Sequence, residues 1–118
     1  MEEVTLANTL RDNQRLNIGE SPRSPNGEYE LIMQNDGNLV LYHRSTNRAK
    51  WSTRTTGQSV AAAVMQSDGN FVIYGYNNEV RWSSRSNHFG AFLMLDDEGA
   101  LCIYAPIWAA RTAMGIVL

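Results

Sequence analysis

Short runs of alternating apolar and polar residues, separated by turn residues, fill most of the chain. Residues 29–34 and 38–42 are rich in aliphatic and aromatic residues and flank Asn35-Asp36-Gly37. Runs of this length and alternation predict β-strands. The Asp-Gly step between them predicts a hairpin with a three-residue loop and its glycine in the left-handed conformation. Because no apolar stripe of helical period is found, the sequence predicts an all-β protein.

The same pattern recurs along the chain in nearly the same letters. Residues 34–42 and 66–74 both fit Q-x-D-x-N-x-V-x-Y, whereas residues 96–104 keep the glycine, the aliphatic run and the tyrosine but lack the glutamine and the asparagine. The first copy precedes the second by 32 residues and the second precedes the third by 30, which is typical of symmetric β units. We therefore interpret residues 1–118 as a single domain of three repeats.

Each copy of the motif is followed by a tryptophan: Trp51, Trp82 and Trp108. Turn residues at 45–47 and 77–78 close a further strand in the first two repeats, so each unit contains about four short antiparallel strands. Three four-stranded sheets with pseudo-threefold symmetry form a β-prism. Three large aromatic side chains at equivalent positions would fill its centre.

Charge and hydropathy exclude two kinds of partner. The formal net charge is -2 and there is no run of Lys or Arg, so the chain lacks the electrostatic footprint of nucleic-acid or anionic-membrane binding. No stretch approaches the ~20 apolar residues of a membrane span. Glu2 and Glu3 stand where a signal peptide would be basic. Localisation is left open, with a cytoplasmic or non-classically secreted protein expected unless a signal was removed.

The single cysteine, Cys102, excludes an internal disulfide and a paired-cysteine metal site. It stands where the other repeats have Val40 and Val72, so we interpret it as a small buried hydrophobic residue. No metal and no cofactor are expected.

Strand geometry limits how the motif can contact a ligand. At ~3.3 Å per residue, a continuous strand would separate Gln34 from Tyr42 by roughly 26 Å, too far for a small ligand. A turn at Asp36 instead places Gln34 beside Asn38, while Tyr42 lies ~13 Å along the returning strand, so its phenol must lean back. Val40 lies on the same face as Asn38 and Tyr42. The prediction is a shallow polar strip around one apolar contact.

Such a strip suits a neutral polyhydroxylated ring. An ionised aspartate accepts hydrogen bonds, while the amides and the phenol both donate and accept. The charge-assisted bond from a hydroxyl to Asp36 is expected to be the strongest contact. In the third repeat, Ala100 removes an amide, Glu98 lengthens the carboxylate and Asp96 adds a second acid, so a weak or inactive site is expected. The candidate carbohydrate-binding residues are Gln34, Asp36, Asn38, Val40, Tyr42, Gln66, Asp68, Asn70, Val72 and Tyr74.

The two complete motifs, the degenerate third and the trailing Trp-Ser pairs resemble the monocot mannose-binding lectin family, also called snowdrop-type, bulb-type or B-type lectins. The similarity runs over about residues 6–112. The resemblance implies a type II β-prism and metal-independent binding of mannose. In that family the Gln contacts O3, the Asp and Asn contact O2, the Tyr contacts O4 and the Val packs on the ring carbons. An axial 2-hydroxyl shared by Asp and Asn would favour mannose over glucose.

Two features depart from, or extend, this resemblance. Plant members usually have a disulfide, whereas Cys102 is alone, so the chain is more similar to disulfide-free members. Members also commonly form homodimers by exchanging C-terminal strands, and the apolar residues 113–118 would suit such an exchange. The alternative is that this tail completes its own sheet.

Other functions were weighed against sugar binding. Asp36 and Asp68, on different faces of a prism, would be farther apart than the roughly 5–10 Å of a glycosidase pair. His43, His88 and Cys102 carry no signature of a thiol enzyme. An enzyme is therefore not expected. The alternative that remains open is a lectin scaffold used as a bacteriocin-like defence protein or a protein-interaction module.

Overall fold

The computed structural model describes residues 7–105 and 114–118, and this part of the chain contains only strands, turns and loops. It has no helix that could cross a lipid bilayer. Trp108 lies outside the described residues. Within these ranges the strands are β1 (Thr9–Leu10), β2 (Gln14–Asn17), β3 (Tyr29–Met33), β4 (Leu39–His43), β5 (Arg48–Ser52), β6 (Ala62–Met65), β7 (Phe71–Tyr74), β8 (Val80–Ser83), β9 (Phe92–Leu95), β10 (Leu101–Ala105) and β11 (Met114–Val117).

The strands form three antiparallel sheets, as the repeats predict. Their orders are β3-β4-β5, β2-β6-β7-β8 and β1-β9-β10-β11. Each repeat supplies three consecutive strands to its own sheet. The segment before the first repeat supplies the remaining edge strands, since β1 pairs with β9 and β2 pairs with β6. The three-sheeted β-prism is confirmed, but its fourth strands come from a part of the chain that carries no repeat.

The first sheet has three regular strands where four were expected. Residues 19–24 run beside β3, where Leu31 N donates to Pro22 O at 2.9 Å and Ser24 N donates to Tyr29 O at 2.9 Å. Only the pair of Arg23 and Glu30 forms a bridge. Because proline has no N–H, it cannot return a hydrogen bond to β3. The fourth segment is therefore present beside the sheet but is not a continuous strand.

Alternating residues of the central strands form one core shared by the three sheets. Leu31, Phe71 and Ile103 are each at most 1% exposed, and they come from different sheets. Burial of such a side chain contributes about 1.5–3 kcal/mol. Trp51 and Trp82 pack against this core, with ring centroids 5.8 Å apart and ring planes at 81°. The two described tryptophans thus meet edge to face, a favoured aromatic geometry.

The C-terminal strand pairs with its own chain in this structure. β11 lies antiparallel to β10, with Val117 opposite Cys102. An exchanged strand would make the same ladder with β10 of a partner chain. The tail thus completes its own sheet in this chain, and the homodimer by strand exchange remains a prediction.

Two glycines provide a stability test of the hairpin loops. Gly37 has φ +92° and a Cβ there would collide with the carbonyl oxygen of Gln58, whereas Gly57 has φ +85° and open space around the added atom. Gly57→Ala should cost about 1–2 kcal/mol from backbone strain alone. Gly37→Ala should cost roughly 3 kcal/mol or more, because the loop of Gly37 must also move away from the loop of Gln58. Chemical denaturation of both variants measures the difference, and equal losses would contradict the predicted collision.

Candidate carbohydrate-binding site

The first motif forms the tip of the hairpin between β3 and β4. Gln34 N donates to Asn38 O at 2.9 Å and Gly37 N donates to Gln34 O at 3.1 Å, which closes a loop of three residues. Gly37 has a positive φ of 92°. Gln66, Gly69 and Asn70 repeat these bonds in the second motif. The predicted hairpin tip, with Gln34 beside Asn38, is confirmed.

The aspartates cap these loops and keep one oxygen for another partner. Asp36 Oδ1 accepts a hydrogen bond from Asn38 N at 2.9 Å, and Asp68 Oδ1 accepts from Asn70 N at 2.9 Å. Among the described residues, hydrogen bonds reach only Oδ1 of each carboxylate. Oδ2 is therefore positioned to accept a bond from a ligand hydroxyl.

The side-chain amide of Asn38 has its oxygen engaged by the fold. Asn38 Oδ1 accepts from Thr53 Oγ1 at 3.3 Å and from Thr55 N at 3.2 Å. Because the oxygen is held by two donors, the amide nitrogen points away from them. The Nδ2 group has no hydrogen-bond partner within the described residues and can donate to a ligand.

The second motif uses hydroxyl groups for the same purpose. Asn70 Oδ1 accepts from Ser83 Oγ at 2.8 Å and from Ser84 Oγ at 3.2 Å. The orientation of the asparagine amide is thus fixed in both intact repeats by residues that follow the tryptophan.

A buried hydroxyl group forms a hydrogen bond to the loop of each intact motif. Thr55 is 2% exposed, and its Oγ1 donates to Gly37 O at 2.6 Å; Ser86 Oγ donates to Gly69 O at 2.6 Å. Sequence reasoning missed these hydroxyl residues. A signal was available, because Thr55 and Ser86 each lie four residues after the tryptophan of their repeat.

The glutamine and the tyrosine of each motif contact each other directly. Gln34 Nε2 donates to Tyr42 Oη at 2.6 Å, and Gln66 Nε2 donates to Tyr74 Oη at 2.9 Å. The phenol therefore leans back along the strand, as the distance argument predicts. With its oxygen accepting from the glutamine, the phenol O–H is free to donate outward.

A break in strand register precedes each of these tyrosines. The pairing shifts between Leu41 and Tyr42 in β4, and between Ile73 and Tyr74 in β7. Tyr104 pairs with Gly115 with no such shift. Bulges redirect side chains and are frequent at binding sites. Both intact motifs thus share a backbone irregularity that is absent beside Tyr104.

The valines lie on the expected face but are almost fully covered. Val40 is 3% exposed and Val72 is 2% exposed. Little of either side chain is accessible to a ligand, so the predicted apolar contact is narrow.

The third repeat keeps the hairpin and uses its polar groups internally. Asp96 Oδ1 accepts from Glu98 N and from Ala100 N, both at 2.9 Å. Tyr104 stacks on Phe92 with ring centroids 5.8 Å apart. Hydrogen bonding to the side chain of Cys102, buried beside it, raises the pKa of Tyr104. The third motif itself has no side-chain amide, because Asp96 and Ala100 stand where the other motifs have glutamine and asparagine, so their donor and acceptor set is not reproduced.

Residues of the first repeat and its preceding turn cover the third loop. Lys50 Nζ donates to Gly99 O at 3.0 Å, and Asn26 N donates to Asp97 Oδ1 at 2.7 Å. The ring of Tyr29 lies against Gly99. This loop therefore connects two sheets.

The described residues contain no group of three or more His, Cys, Asp or Glu side chains that could hold a metal ion. His43 stacks on Tyr29 with ring centroids 4.8 Å apart and alternates to the opposite face of the sheet from Tyr42. It therefore does not line the motif.

Comparison with known proteins shows relatives among lectins, while no protein-family model matches the chain. The B-type lectin plumieribetin of Scorpaena plumieri is 32% identical over 99 residues, covering 81% of this chain and 85% of the relative. A mannose-specific lectin of Aloe arborescens is 36% identical over 91 residues, covering 73% and 82%. The solved structure of the mannose-specific agglutinin from snowdrop (Galanthus nivalis) bulbs has a TM-score of 0.74 and 31% identity, covering 88% of this chain and 94% of the agglutinin.

The chain therefore belongs to the B-type, or bulb-type, lectin family. Lectins are carbohydrate-binding proteins without enzymatic activity, so the expectation that the chain is not an enzyme is confirmed by its relatives.

The buried hydroxyl of Thr55 gives a second test. Thr55→Val should cost about 1–3 kcal/mol of stability, because the buried Gly37 carbonyl loses its donor. Thr55→Ser keeps the hydroxyl that Ser86 provides in the second repeat, and should cost about 1 kcal/mol or less for the lost methyl group. Urea denaturation of the two variants measures this. If Ser destabilises as much as Val, the hydrogen bond is not what holds the loop.

Proposed function

We propose that the protein is a mannose-specific lectin that binds mannose-containing glycans without a metal ion, through two equivalent motifs. The observation that carries this proposal is that the two intact hairpin tips present the same groups without a partner among the described residues, namely the aspartate Oδ2 and the asparagine Nδ2. The proposed sites comprise Gln34, Asp36, Asn38, Val40 and Tyr42, and Gln66, Asp68, Asn70, Val72 and Tyr74.

The role of each group follows from its remaining hydrogen-bonding capacity. Asp36 can accept from a sugar hydroxyl through Oδ2, and Asn38 can donate through Nδ2 to the same hydroxyl. A hydroxyl needs both a donor and an acceptor, so this pair suits the axial O2 of mannose. Gln34 and Tyr42, joined by their hydrogen bond, would contact O3 and O4.

The relatives support mannose as the ligand. The Aloe arborescens relative is named a mannose-specific lectin, and the snowdrop agglutinin structure is a complex with methyl-α-D-mannoside. The chain shares 36% and 31% identity with these two proteins. Because both complete motifs are retained, a scaffold that has lost sugar binding is the less supported alternative.

Useful affinity for a glycan requires several sites to act together. Shallow polar sites compete with water for every hydroxyl, so one sugar should bind with Kd near ~1 mM. Two sites in a chain, and four in the proposed homodimer, could raise avidity by ~10² or more on branched glycans.

Isothermal titration with methyl-α-D-mannoside tests the two-site proposal. The wild type should bind two equivalents per chain, Asp36→Asn or Asp68→Asn one, and the double variant none. Asparagine can still accept the loop hydrogen bond of the aspartate, so the hairpin should be retained while the charge is lost.

Glu98→Gln is the matched control, because Glu98 occupies the equivalent position of the third repeat and is exposed. It should leave two binding sites. A folded wild type that produces no heat with mannosides would refute the lectin proposal. A third of the binding lost in Glu98→Gln would instead assign a ligand to the third repeat.

Metal independence has its own test. Dialysis against EDTA should leave the affinity for methyl-α-D-mannoside unchanged within about twofold, since every proposed contact comes from a side chain that is a good hydrogen-bonding group by itself. Restoration of lost binding by Ca²⁺ would contradict this prediction.

A further inference from the structure

The two intact motifs share their five residues but have different surroundings. Glu30 lies opposite Tyr42 in the register of the first sheet, and Ala62 lies opposite Tyr74 in the second. A carboxylate at one motif thus corresponds to a methyl group at the other. This difference lies on the outer face of the sheets, where the motif residues also lie.

An open groove extends from the first motif toward this carboxylate. Its volume is about 460 Å³. Pockets of roughly 300–1,000 Å³ accommodate drug-sized ligands, which are larger than a single hexose. Because the groove is lined by Gln34 and Tyr42 of the motif and also by Glu30 and Arg44, a second ring attached to a sugar on the motif would lie against Glu30 and Arg44. The lining residues are Glu30, Ile32, Gln34, Tyr42, Arg44 and Asn47.

The far end of the groove is held in place by hydrogen bonds and ion pairs. Ser21 Oγ donates to Glu30 Oε2 at 2.7 Å, and Arg23 Nε lies 3.2 Å from the same oxygen. Arg44 Nε lies 3.6 Å from Glu30 Oε1. The glutamate side chain is only 15% exposed, while that of Arg44 is 43% exposed. A fixed acceptor therefore stands beside an accessible donor at the end of the groove.

This pairing has the same chemistry as the hairpin tip. Asp36 and Asn38 combine a carboxylate with N–H donors, and Glu30 and Arg44 do so again. Adjacent hydroxyls of a sugar can accept from the guanidinium and donate to the carboxylate. Asn47, in the loop after β4, adds a further amide to the groove wall.

The corresponding loop of the second repeat is shorter. Four residues separate His43 from its strand partner Arg48, whereas three separate Gly75 from Glu79. Ala62 is fully buried and offers no polar group. The second repeat thus has Ala62 and Tyr76 at the positions of Glu30 and Arg44. Its own acid–arginine pair, Glu79 and Arg81, belongs to β8 and the turn before it, where Arg81 Nε donates to Ser59 O at 3.1 Å.

We propose that Glu30 and Arg44 form a second sugar subsite, so that the first repeat binds a mannose-containing disaccharide and the second binds one mannose unit. This inference rests on the proposed function. It makes the two sites of one chain selective for different glycan ends.

Single-site variants separate the two motifs for the test. Asp68→Asn leaves the first site and Asp36→Asn leaves the second. Each is titrated with methyl-α-D-mannoside and with the α-linked mannobiosides. The first site should bind at least one mannobioside about fivefold more tightly than the monosaccharide, the gain of about one net hydrogen bond. The second site should show a ratio within about twofold.

Arg44→Ala in the Asp68→Asn background should reduce the affinity for that mannobioside more than the affinity for methyl-α-D-mannoside. Glu30→Gln should act in the same direction while keeping the shape of the side chain. Arg48→Ala is the matched control, since Arg48 belongs to the same sheet and lines a different groove. It should retain the disaccharide preference.

Equal disaccharide-to-monosaccharide ratios at the two sites would overturn the second subsite and leave the proposed lectin function intact. A preference at the first site that survives Arg44→Ala and Glu30→Gln would also overturn it. Absence of methyl-α-D-mannoside binding by the wild type would instead refute the proposed function itself.

Discussion

One buried hydrogen bond in each intact repeat holds the loop that carries the groups of the candidate site. The hydroxyls of Thr55 and Ser86 donate to the glycine carbonyls of the two motif loops, both at 2.6 Å. The hydroxyl residues that follow each tryptophan also engage the asparagine Oδ1. The amide must therefore present its N–H groups outward. At the proposed sites, a ligand would meet a loop and an amide that are already ordered, which would lower the entropic cost of binding.

The same loops couple the candidate site to the fold. Gly37 has a positive φ and touches the backbone of the following loop, whose Gly57 N donates to Asp36 O at 2.8 Å. A larger residue at Gly37 would separate the two loops and displace the aspartate between them. Glycine is needed there for conformation and for space at once. The site is thus built into the hairpin tip.

The third repeat keeps the hairpin without the amides of the two complete motifs. Its loop keeps Gly99 at φ +82° and the same backbone bonds. Asp96 caps that loop, because its Oδ1 accepts from two backbone N–H groups. Lys50 and Tyr29 of the first repeat cover the loop. The hairpin tip is thus formed by its glycine and its aspartate cap and does not depend on the amides that the proposed sugar sites use. The third loop contacts the first repeat and so connects two sheets.

The sequence by itself determined the features that depend on neighbouring residues: the hairpins, the loop glycines, the position of Gln34 beside Asn38 and the burial of Cys102. Strand alternation and turn chemistry act over a few residues, so a repeated motif reveals them. Only the tertiary structure decided which strands complete the sheets. β1 and β2 pair with strands far along the chain. Pro22 prevents the segment beside β3 from forming a continuous fourth strand of the first sheet. The groove at Glu30 and the hydroxyls of Thr55 and Ser86 also bring together segments that are distant in the sequence. The local pattern does not predict which segments will meet, because their contacts depend on packing around one shared core.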